Sequence, residues 1–296
     1  MPETHSTPRL LLPDLRNTLG EGPLWHPGID RLFWFDIPEC RIHWANADGS
    51  NAGSHDLGMM ASAAAWIDND TLLVAGQDGL YRYDIASHAM SLVTALEADK
   101  PDNRSNDGRC DPWGRFWIGT MNLKAKSEEG ALYIFDAEHG LSCIRTGVTI
   151  PNSIAFTPDR RRAFFADSME RQIIAFDLDP ITGDILGESL FASDEGAAYG
   201  PDGSVTDADG FLWNARWGGS QIARYRPDGT IERSIQFPVE QVTCPALGGP
   251  DFNLLFVTTA NERMSETARA EQPLAGGIFV TETDIKGYPE NRFGKK

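Results

Sequence analysis

The amino-acid sequence predicts an all-β protein, a six-bladed β-propeller. A strand–turn–strand pattern recurs along the whole chain at intervals of 40 to 48 residues. No long amphipathic helical pattern separates the copies. A period in the forties with about four short strands per unit is typical of propeller blades. The 29 glycines and 8 tryptophans among 296 residues agree with tight turns between aromatic-rich strands.

Each repeat begins with an apolar run, passes through a Gly, Asp or Pro turn, and ends in a second apolar strand. One large side chain in each second strand serves as a marker. In chain order the markers are Trp34, Val74, Trp117, Phe165, Trp213 and Val257. Their intervals are 40, 43, 48, 48 and 44 residues. Two β-sandwiches would not share one period, so we expect a single ring of six units.

The ring needs a closing strand, because an open sheet edge invites aggregation. Residues 9–18 precede the first repeat and are the candidate for a strand that joins the last blade. Pro13 is tolerable there only at the outer edge of a sheet. We expect one domain over residues 1–296, with six blades of about 40–48 residues reaching to about residue 285 and a polar C-terminal tail.

The composition excludes several classes of partner. A net charge of −17 opposes binding to nucleic acid, and the one compact basic run, 160–162, is typical of a solvated turn. No apolar stretch approaches the roughly 20 residues that span a bilayer, and the N-terminus lacks a signal pattern. The four cysteines form no Cys-x-x-Cys pair, which opposes a zinc knuckle. We expect a cytoplasmic monomer or weak homo-oligomer without a membrane partner.

Four polar residues stand at equivalent positions of the repeat. Stepping back 11 to 13 residues from four markers reaches Glu21, Asn106, Asn152 and Asp202. In a propeller the innermost strands line the channel and begin at one mouth, where converging oxygen donors require a cation or substrate. Carboxylate and amide oxygens suit Ca²⁺, Mg²⁺ or Mn²⁺. Arg104 could orient an oxygen-rich substrate beside such an ion. Taken singly, each residue could instead cap a turn.

Other chemistries have no support in the sequence. There is no G-x-S-x-G elbow, no H-E-x-x-H pair and no glycine-rich phosphate loop. The Asp-rich phrases 68–70 and 207–210 fall where the repeat needs turns and lack a full calcium-loop ladder. A serine triad and a nicotinamide cofactor are therefore not expected.

Several short phrases occur in an order and spacing that resemble one family. They are LGEGP at 19–23, NRSNDG at 103–108, GTM at 119–121, GALY at 130–133, PNS at 151–153, PDG at 201–203 and GGP at 248–250. Together they resemble the SMP-30/gluconolactonase/regucalcin-like family over nearly the whole chain. The similarity to the bacterial sugar lactonases is greater than that to the animal members.

That resemblance implies a six-bladed propeller with one divalent metal ion at the channel mouth. Glu21, Asn152 and Asp202 match the metal ligands of the family. Ca²⁺ is the first expectation for the ion, with Zn²⁺, Mn²⁺, Mg²⁺ or Fe²⁺ as alternatives. The resemblance also implies metal-dependent hydrolysis of a pentono- or hexonolactone to its aldonic acid, with the sugar lactone as the small-molecule partner.

The resemblance further assigns roles in substrate binding. Arg104 and Asn106 match residues that bind the lactone, and a glutamate before the GALY phrase holds a sugar hydroxyl in the family. Here Glu128 and Glu129 precede that phrase, and Glu129 is our candidate. We treat Asp202 as the candidate catalytic base that takes a proton from the attacking water. The alternative is that Asp202 is only a metal ligand.

Three other functions stay open at the level of sequence. A metal-dependent phosphotriesterase or arylesterase would have a pocket lined by apolar aromatic residues. A non-enzymatic calcium-binding propeller would show no turnover. A carbohydrate-binding propeller would lack the two convergent carboxylates.

Overall fold

The computed structural model describes residues 5–295, which form six four-stranded antiparallel sheets arranged as the blades of a ring. This confirms the predicted six-bladed β-propeller. The first strand of each blade packs against the first strands of its neighbours and so lines the central channel. Within the described range, no helix is both long and apolar enough to cross a membrane.

The first three blades follow one another along the chain. From the innermost strand outward, blade 1 consists of β2 (Gly20–His26), β3 (Arg31–Asp36), β4 (Arg41–Asn46) and β5 (Gly53–Asp56). Blade 2 consists of β6 (Ala61–Asp68), β7 (Thr71–Gly76), β8 (Gly79–Asp84) and β9 (Met90–Ala95). Blade 3 consists of β10 (Asn103–Cys110), β11 (Phe116–Asn122), β12 (Gly130–Asp136) and β13 (Gly140–Val148).

The last three blades complete the ring. Blade 4 consists of β14 (Pro151–Phe156), β15 (Arg162–Asp167), β16 (Gln172–Leu178) and β17 (Ile185–Ser193). Blade 5 consists of β18 (Gly200–Thr206), β19 (Leu212–Trp217), β20 (Gln221–Tyr225) and β21 (Ile231–Gln236). Blade 6 consists of β22 (Val242–Gly248), β23 (Leu254–Thr259), β24 (Phe279–Glu282) and β1 (Arg9–Leu10), and the short helix α1 (Glu266–Glu271) lies between β23 and β24.

The N-terminal strand closes the ring, as predicted. Arg9 of β1 pairs with Val280 of β24, and Leu10 pairs with Phe279, so β1 forms the outer edge of blade 6. The strand is shorter than the 9–18 candidate because the chain turns before Pro13, which has no N–H to donate to a sheet.

Large apolar side chains pack between blades. All six markers of the repeat lie in second strands, where both faces of the sheet are covered. Trp117 and Trp213 are fully buried, and each indole N–H donates to an aspartate in the turn between the first two strands. The Nε1–Oδ2 distances are 3.0 Å to Asp111 and 2.8 Å to Asp207. Asp207, in one of the Asp-rich phrases, therefore stabilises a turn, as the repeat predicts.

The segment 284–295 crosses the channel at the face opposite the starts of the inner strands. The Tyr288 hydroxyl donates to the carbonyl of Phe156 at the end of β14 (2.5 Å). Phe293 stacks on Phe135 with ring centroids 5.5 Å apart. The ring therefore has one covered face and one open mouth, and the mouth holds the candidate site.

Candidate active site

A cavity of about 440 Å³ lies at the mouth where the inner strands begin. Its volume falls within the range of about 300–1,000 Å³ that is common for small-molecule sites. Five predicted residues line it, from four different blades: Glu21 of β2, Arg104 and Asn106 of β10, Asn152 of β14 and Asp202 of β18. The chain fold thus brings together side chains that are up to 181 positions apart in the sequence.

A β-bulge interrupts each of these inner strands at the site. The shifts in register lie between Glu21 and Leu24, Ser105 and Gly108, Asn152 and Ala155, and Pro201 and Ser204. A bulge places two residues of one strand opposite a single residue of the paired strand, and it changes the direction in which their side chains point. Repetition of the bulge around the ring therefore turns equivalent side chains toward the same mouth.

A chain of hydrogen bonds orients the amides of the site. Arg104 Nη1 donates to Asn106 Oδ1 (2.7 Å), and Asn106 Nδ2 contacts Asn152 Oδ1 (3.3 Å). Asn152 Nδ2 donates to Ser168 Oγ (2.8 Å), which donates to the carbonyl of Pro201 (2.7 Å). Because its nitrogen is held by Ser168, Asn152 turns its carbonyl oxygen toward the centre of the site.

Two carboxylates are buried at the centre, where the nearby charge of Arg104 lowers the pKa of each by less than burial raises it. Glu21 is 9% exposed and Asp202 is 4% exposed, and neither forms an ion pair within residues 5–295. Burial, with the charge of nearby Asp107, raises the pKa of Glu21 to about 8. Burial and the charge of Glu21 also raise the pKa of Asp202 well above its ordinary value. Buried carboxylates of this kind require a counter-charge.

The donors fit a hard divalent cation. Two carboxylates and one amide oxygen, from Glu21, Asp202 and Asn152, are ligands of the type that Ca²⁺ and Mg²⁺ prefer. Two negative charges would balance a divalent ion. In the described part of the chain no group of three or more His, Cys, Asp or Glu side chains could hold a metal. A metal at this mouth would therefore depend on the Asn152 oxygen as its third protein donor.

The glutamates before the GALY phrase lie away from the cavity. Glu129 is about half exposed; its Oε2 accepts from Asn122 Nδ2 (2.7 Å), and its Oε1 lies 3.6 Å from Lys126 Nζ. Glu128 is exposed and has a positive φ of 62°. Neither residue is part of the cavity wall described above. The loop instead contributes Leu123 and Ala125 to that wall.

A second set of wall residues was not predicted from the sequence. Loops that follow the second strands of the blades supply Arg171 after β15, Trp217 at the end of β19, and Glu262 and Arg263 after β23. The repeat does indicate where such residues lie. In each blade the loop after the second strand emerges at the mouth where the first strand begins. Their lengths differ, so no fixed offset from the markers identifies these residues.

A solved structure with a very similar fold comes from Agrobacterium tumefaciens, and its description is a calcium-binding protein, regucalcin. It aligns with a TM-score of 0.94 and 36% identity, covering 98% of this chain and 97% of that one. The propeller fold is therefore shared with an experimentally determined protein.

Relatives of known name cover nearly the full length. An L-arabinolactonase from Azospirillum brasilense is 37% identical over 96% of this chain and 94% of its own. A pentonolactonase from Haloferax volcanii is 34% identical over 93% of this chain and 94% of its own. The family model described as SMP-30/Gluconolactonase/LRE-like region matches residues 19–261. The chain belongs to this family.

Proposed function

We propose that the chain is a hydrolase of cyclic carboxylic esters that converts a sugar lactone, a pentono- or hexonolactone, to its aldonic acid with the aid of a divalent metal ion. The observation that carries the proposal is the pair of buried carboxylates, Glu21 and Asp202, placed beside Arg104 and Asn106 in one cavity. The names of the full-length relatives support it.

Glu21, Asn152 and Asp202 would hold the metal. Bound there, a divalent ion would polarise the ester carbonyl and lower the pKa of a water molecule. Ca²⁺ is our first candidate, because all three donors are oxygen atoms. Zn²⁺, Mn²⁺, Mg²⁺ and Fe²⁺ are the alternatives.

Arg104 and Asn106 would orient the lactone. The Arg104 guanidinium is 9% exposed and uses Nη1 for bonds to the Ser105 carbonyl and the Asn106 side chain. We propose that its remaining N–H groups donate to the lactone carbonyl oxygen and stabilise the negative charge that develops there. The Asn106 amide, held by Arg104, would contact a hydroxyl of the sugar.

Asp202 is the proposed general base. Its carboxylate lines the same cavity as Glu21 and Asn152, and it would take the proton of the attacking water. As the bond between the carbonyl carbon and the ring oxygen breaks, Asp202 would return this proton to the ring oxygen, which yields the open-chain acid.

A panel of aldonolactones tests the proposed activity. The protein is stripped of metal, each divalent ion is added back singly, and acid release is compared with a no-enzyme control, because six-membered lactones open spontaneously. We expect turnover that depends on one added ion and is lost in Glu21→Gln. Glu170→Gln, a charge change on an exposed residue near the same mouth, is the matched control and should keep activity. Absence of turnover with every ion would contradict the proposal.

The role of Asp202 is tested by Asp202→Asn with metal occupancy measured by elemental analysis. At a metal concentration that restores occupancy we expect kcat/KM to be lower by about 10²–10⁴-fold, the usual contribution of a general base. Full activity at full occupancy would remove the base from the proposal and leave Asp202 as a ligand.

Arylesters and phosphotriesters are the second candidate substrates. The cavity wall also contains Met60, Met121, Met169 and Trp217, which offer an apolar surface that a polyol does not need. Phenyl acetate and a phosphotriester belong in the same panel. A higher kcat/KM for either than for every sugar lactone would favour this second function.

A further inference from the structure

The cavity differs in charge from the rest of the molecule. The charged residues in its wall are Glu21, Asp202, Glu262, Arg104, Arg171 and Arg263. Acidic residues outnumber basic ones by 43 to 26 in the whole chain, whereas the wall has three of each. If the two buried carboxylates neutralise a divalent ion, one carboxylate remains against three guanidinium groups. A neutral sugar lactone does not require this positive excess.

Two basic residues, Arg171 and Arg263, lie in loops at the rim of the cavity. Arg263 follows β23, is exposed, and forms no ion pair with any described residue. It lines the same cavity as Arg104 of the inner strand β10. The guanidinium of Arg263 is therefore available to a ligand in the cavity.

Arg171 adds a second positive charge at the rim. Arg171 belongs to blade 4 and Arg263 belongs to blade 6. Blade 5 lies between them and contributes Trp217 to the wall. Arg171 Nη1 donates to the carbonyl of Ala197, a neutral acceptor that leaves its charge uncompensated. No carboxylate within residues 5–295 forms an ion pair with it.

The backbone does not explain why arginine occupies these positions. Arg171 and Arg263 both have a φ of 56°, in the left-handed region. Glycine adopts this region freely, whereas a residue with a Cβ atom does so at a cost in free energy. Turn geometry alone would favour glycine or asparagine at both positions.

We propose that Arg263 binds an anionic group, a carboxylate or a phosphate, that the substrate carries at the end remote from the lactone carbonyl, and that Arg171 strengthens the positive field around it. This inference rests on the proposed function and narrows its substrates to lactones with a second acidic group. A guanidinium pairs with either anion through two parallel hydrogen bonds. Arg104 serves the carbonyl end, so the carboxylate formed in the reaction does not account for the arginines of the rim.

The net charge of −17 makes a local basic rim necessary for such a substrate. A strongly acidic protein repels anions at a distance, and only a local patch of opposite sign can reverse this near the site. The preference for an anionic lactone should therefore weaken as salt is added, because the rim is exposed to solvent.

The kinetic test compares three lactones that differ at one end: D-gluconolactone, its 6-phosphate, and D-glucarolactone, which has a carboxylate at that end. We expect kcat/KM to be at least about tenfold higher for one anionic lactone than for the neutral one. Arg263→Gln should reduce this ratio about tenfold, and Arg263→Lys should retain part of it. Arg160→Gln is the matched control, because Arg160 also has a positive φ, of 63°, and lies in the turn between β14 and β15, away from the mouth.

A binding test separates this inference from the proposed activity. Protein saturated with Ca²⁺ is titrated calorimetrically with gluconate, 6-phosphogluconate and glucarate, and no turnover is needed. If a dianion binds more tightly than gluconate and Arg263→Gln abolishes this difference, the anion site is supported even when no lactone is hydrolysed. The dianion that binds more tightly shows whether the anionic group is a phosphate or a carboxylate. The anion site would be overturned if lactones are hydrolysed and Arg263→Gln does not change the ratio of kcat/KM for the anionic lactone to kcat/KM for the neutral one. The lactonase proposal would stand in that case.

Discussion

His43 shows how a single buried side chain connects stability to pH. It lies in β4, is 6% exposed, and stacks on Trp34 with ring centroids 5.4 Å apart. Its Nε2 has no hydrogen-bond partner among the described atoms. Burial lowers the pKa of His43 from 6.5 to about 4, because the charged imidazole is disfavoured away from water. The folded protein therefore holds this ring neutral at pH 7.

We predict that His43 destabilises the fold in acid. As the pH falls, the unfolded chain takes up this proton near pH 6.5, whereas the folded chain does so only near pH 4. The contribution to stability is therefore complete above pH 6.5 and is lost as the pH falls toward 4, up to about 3 kcal/mol. Urea unfolding at pH 7, 5.5 and 4.5 measures it.

His43→Phe keeps the stacked ring and removes the titration, so its stability should depend less on pH over the same window. His139→Gln is the control, because the His139 side chain is 76% exposed and its replacement should change the pH dependence of stability less than His43→Phe does. Equal pH dependence of His43→Phe and the unmodified protein would contradict the assignment.

At the level of elements, the bulges of the inner strands decide the direction of the site residues. Gly22 occupies the bulge of β2, directly after Glu21, with a φ of 56°. A Cβ atom on Gly22 would lie 2.2 Å from the carbonyl oxygen of Ser62 in the neighbouring blade. Close approach between blades 1 and 2 and the orientation of Glu21 therefore depend on the same glycine.

Gly22→Ala should lower the free energy of unfolding by more than the cost of the backbone conformation alone. Gly58→Ala separates the two contributions, because Gly58 has a φ of 70° and nothing within 4 Å of an added Cβ. We expect about 1–2 kcal/mol for Gly58→Ala and a larger loss for Gly22→Ala, measured by urea unfolding. Equal losses would mean that the contact with Ser62 does not constrain the bulge.

The sequence predicted the strands better than it predicted the site wall. Markers such as Trp117 and Phe165 lie in strands that are covered on both faces, and such burial selects aromatic and branched side chains that are visible in a sequence. A bulge depends on how two strands pair, which residue types alone do not record. Loops that end at the mouth vary in length, so Arg263 was missed and the Glu129 candidate lies on the rim of blade 3 instead of in the wall.

At the scale of the whole molecule, both chain ends hold the ring together. Near the N-terminus, β1 closes blade 6, and the Leu11 N–H donates to the carbonyl of Ile278 (2.8 Å) one residue beyond the paired strand. Near the C-terminus, Glu290 forms a buried ion pair with Arg109 of the inner strand β10. Arg109 also donates to the carbonyls of Ile154 (3.0 Å) and Ser204 (2.9 Å), so it links blades 3, 4 and 5 across the channel.

Loss of the Glu290 charge should therefore weaken the entire ring. Glu290→Gln leaves Arg109 as a buried cation without its carboxylate, and breaking a buried pair in this way costs about 3–5 kcal/mol. Glu188→Gln is the control: it breaks the pair with Arg145 on the outer strands, where the side chains are 54% and 33% exposed and the expected loss is below about 1 kcal/mol. Urea unfolding of both variants measures the difference. Because Arg109 touches three blades, the loss in Glu290→Gln should appear as one cooperative transition at lower urea, whereas an early, separate transition would show that the segment 284–295 detaches without disturbing the ring.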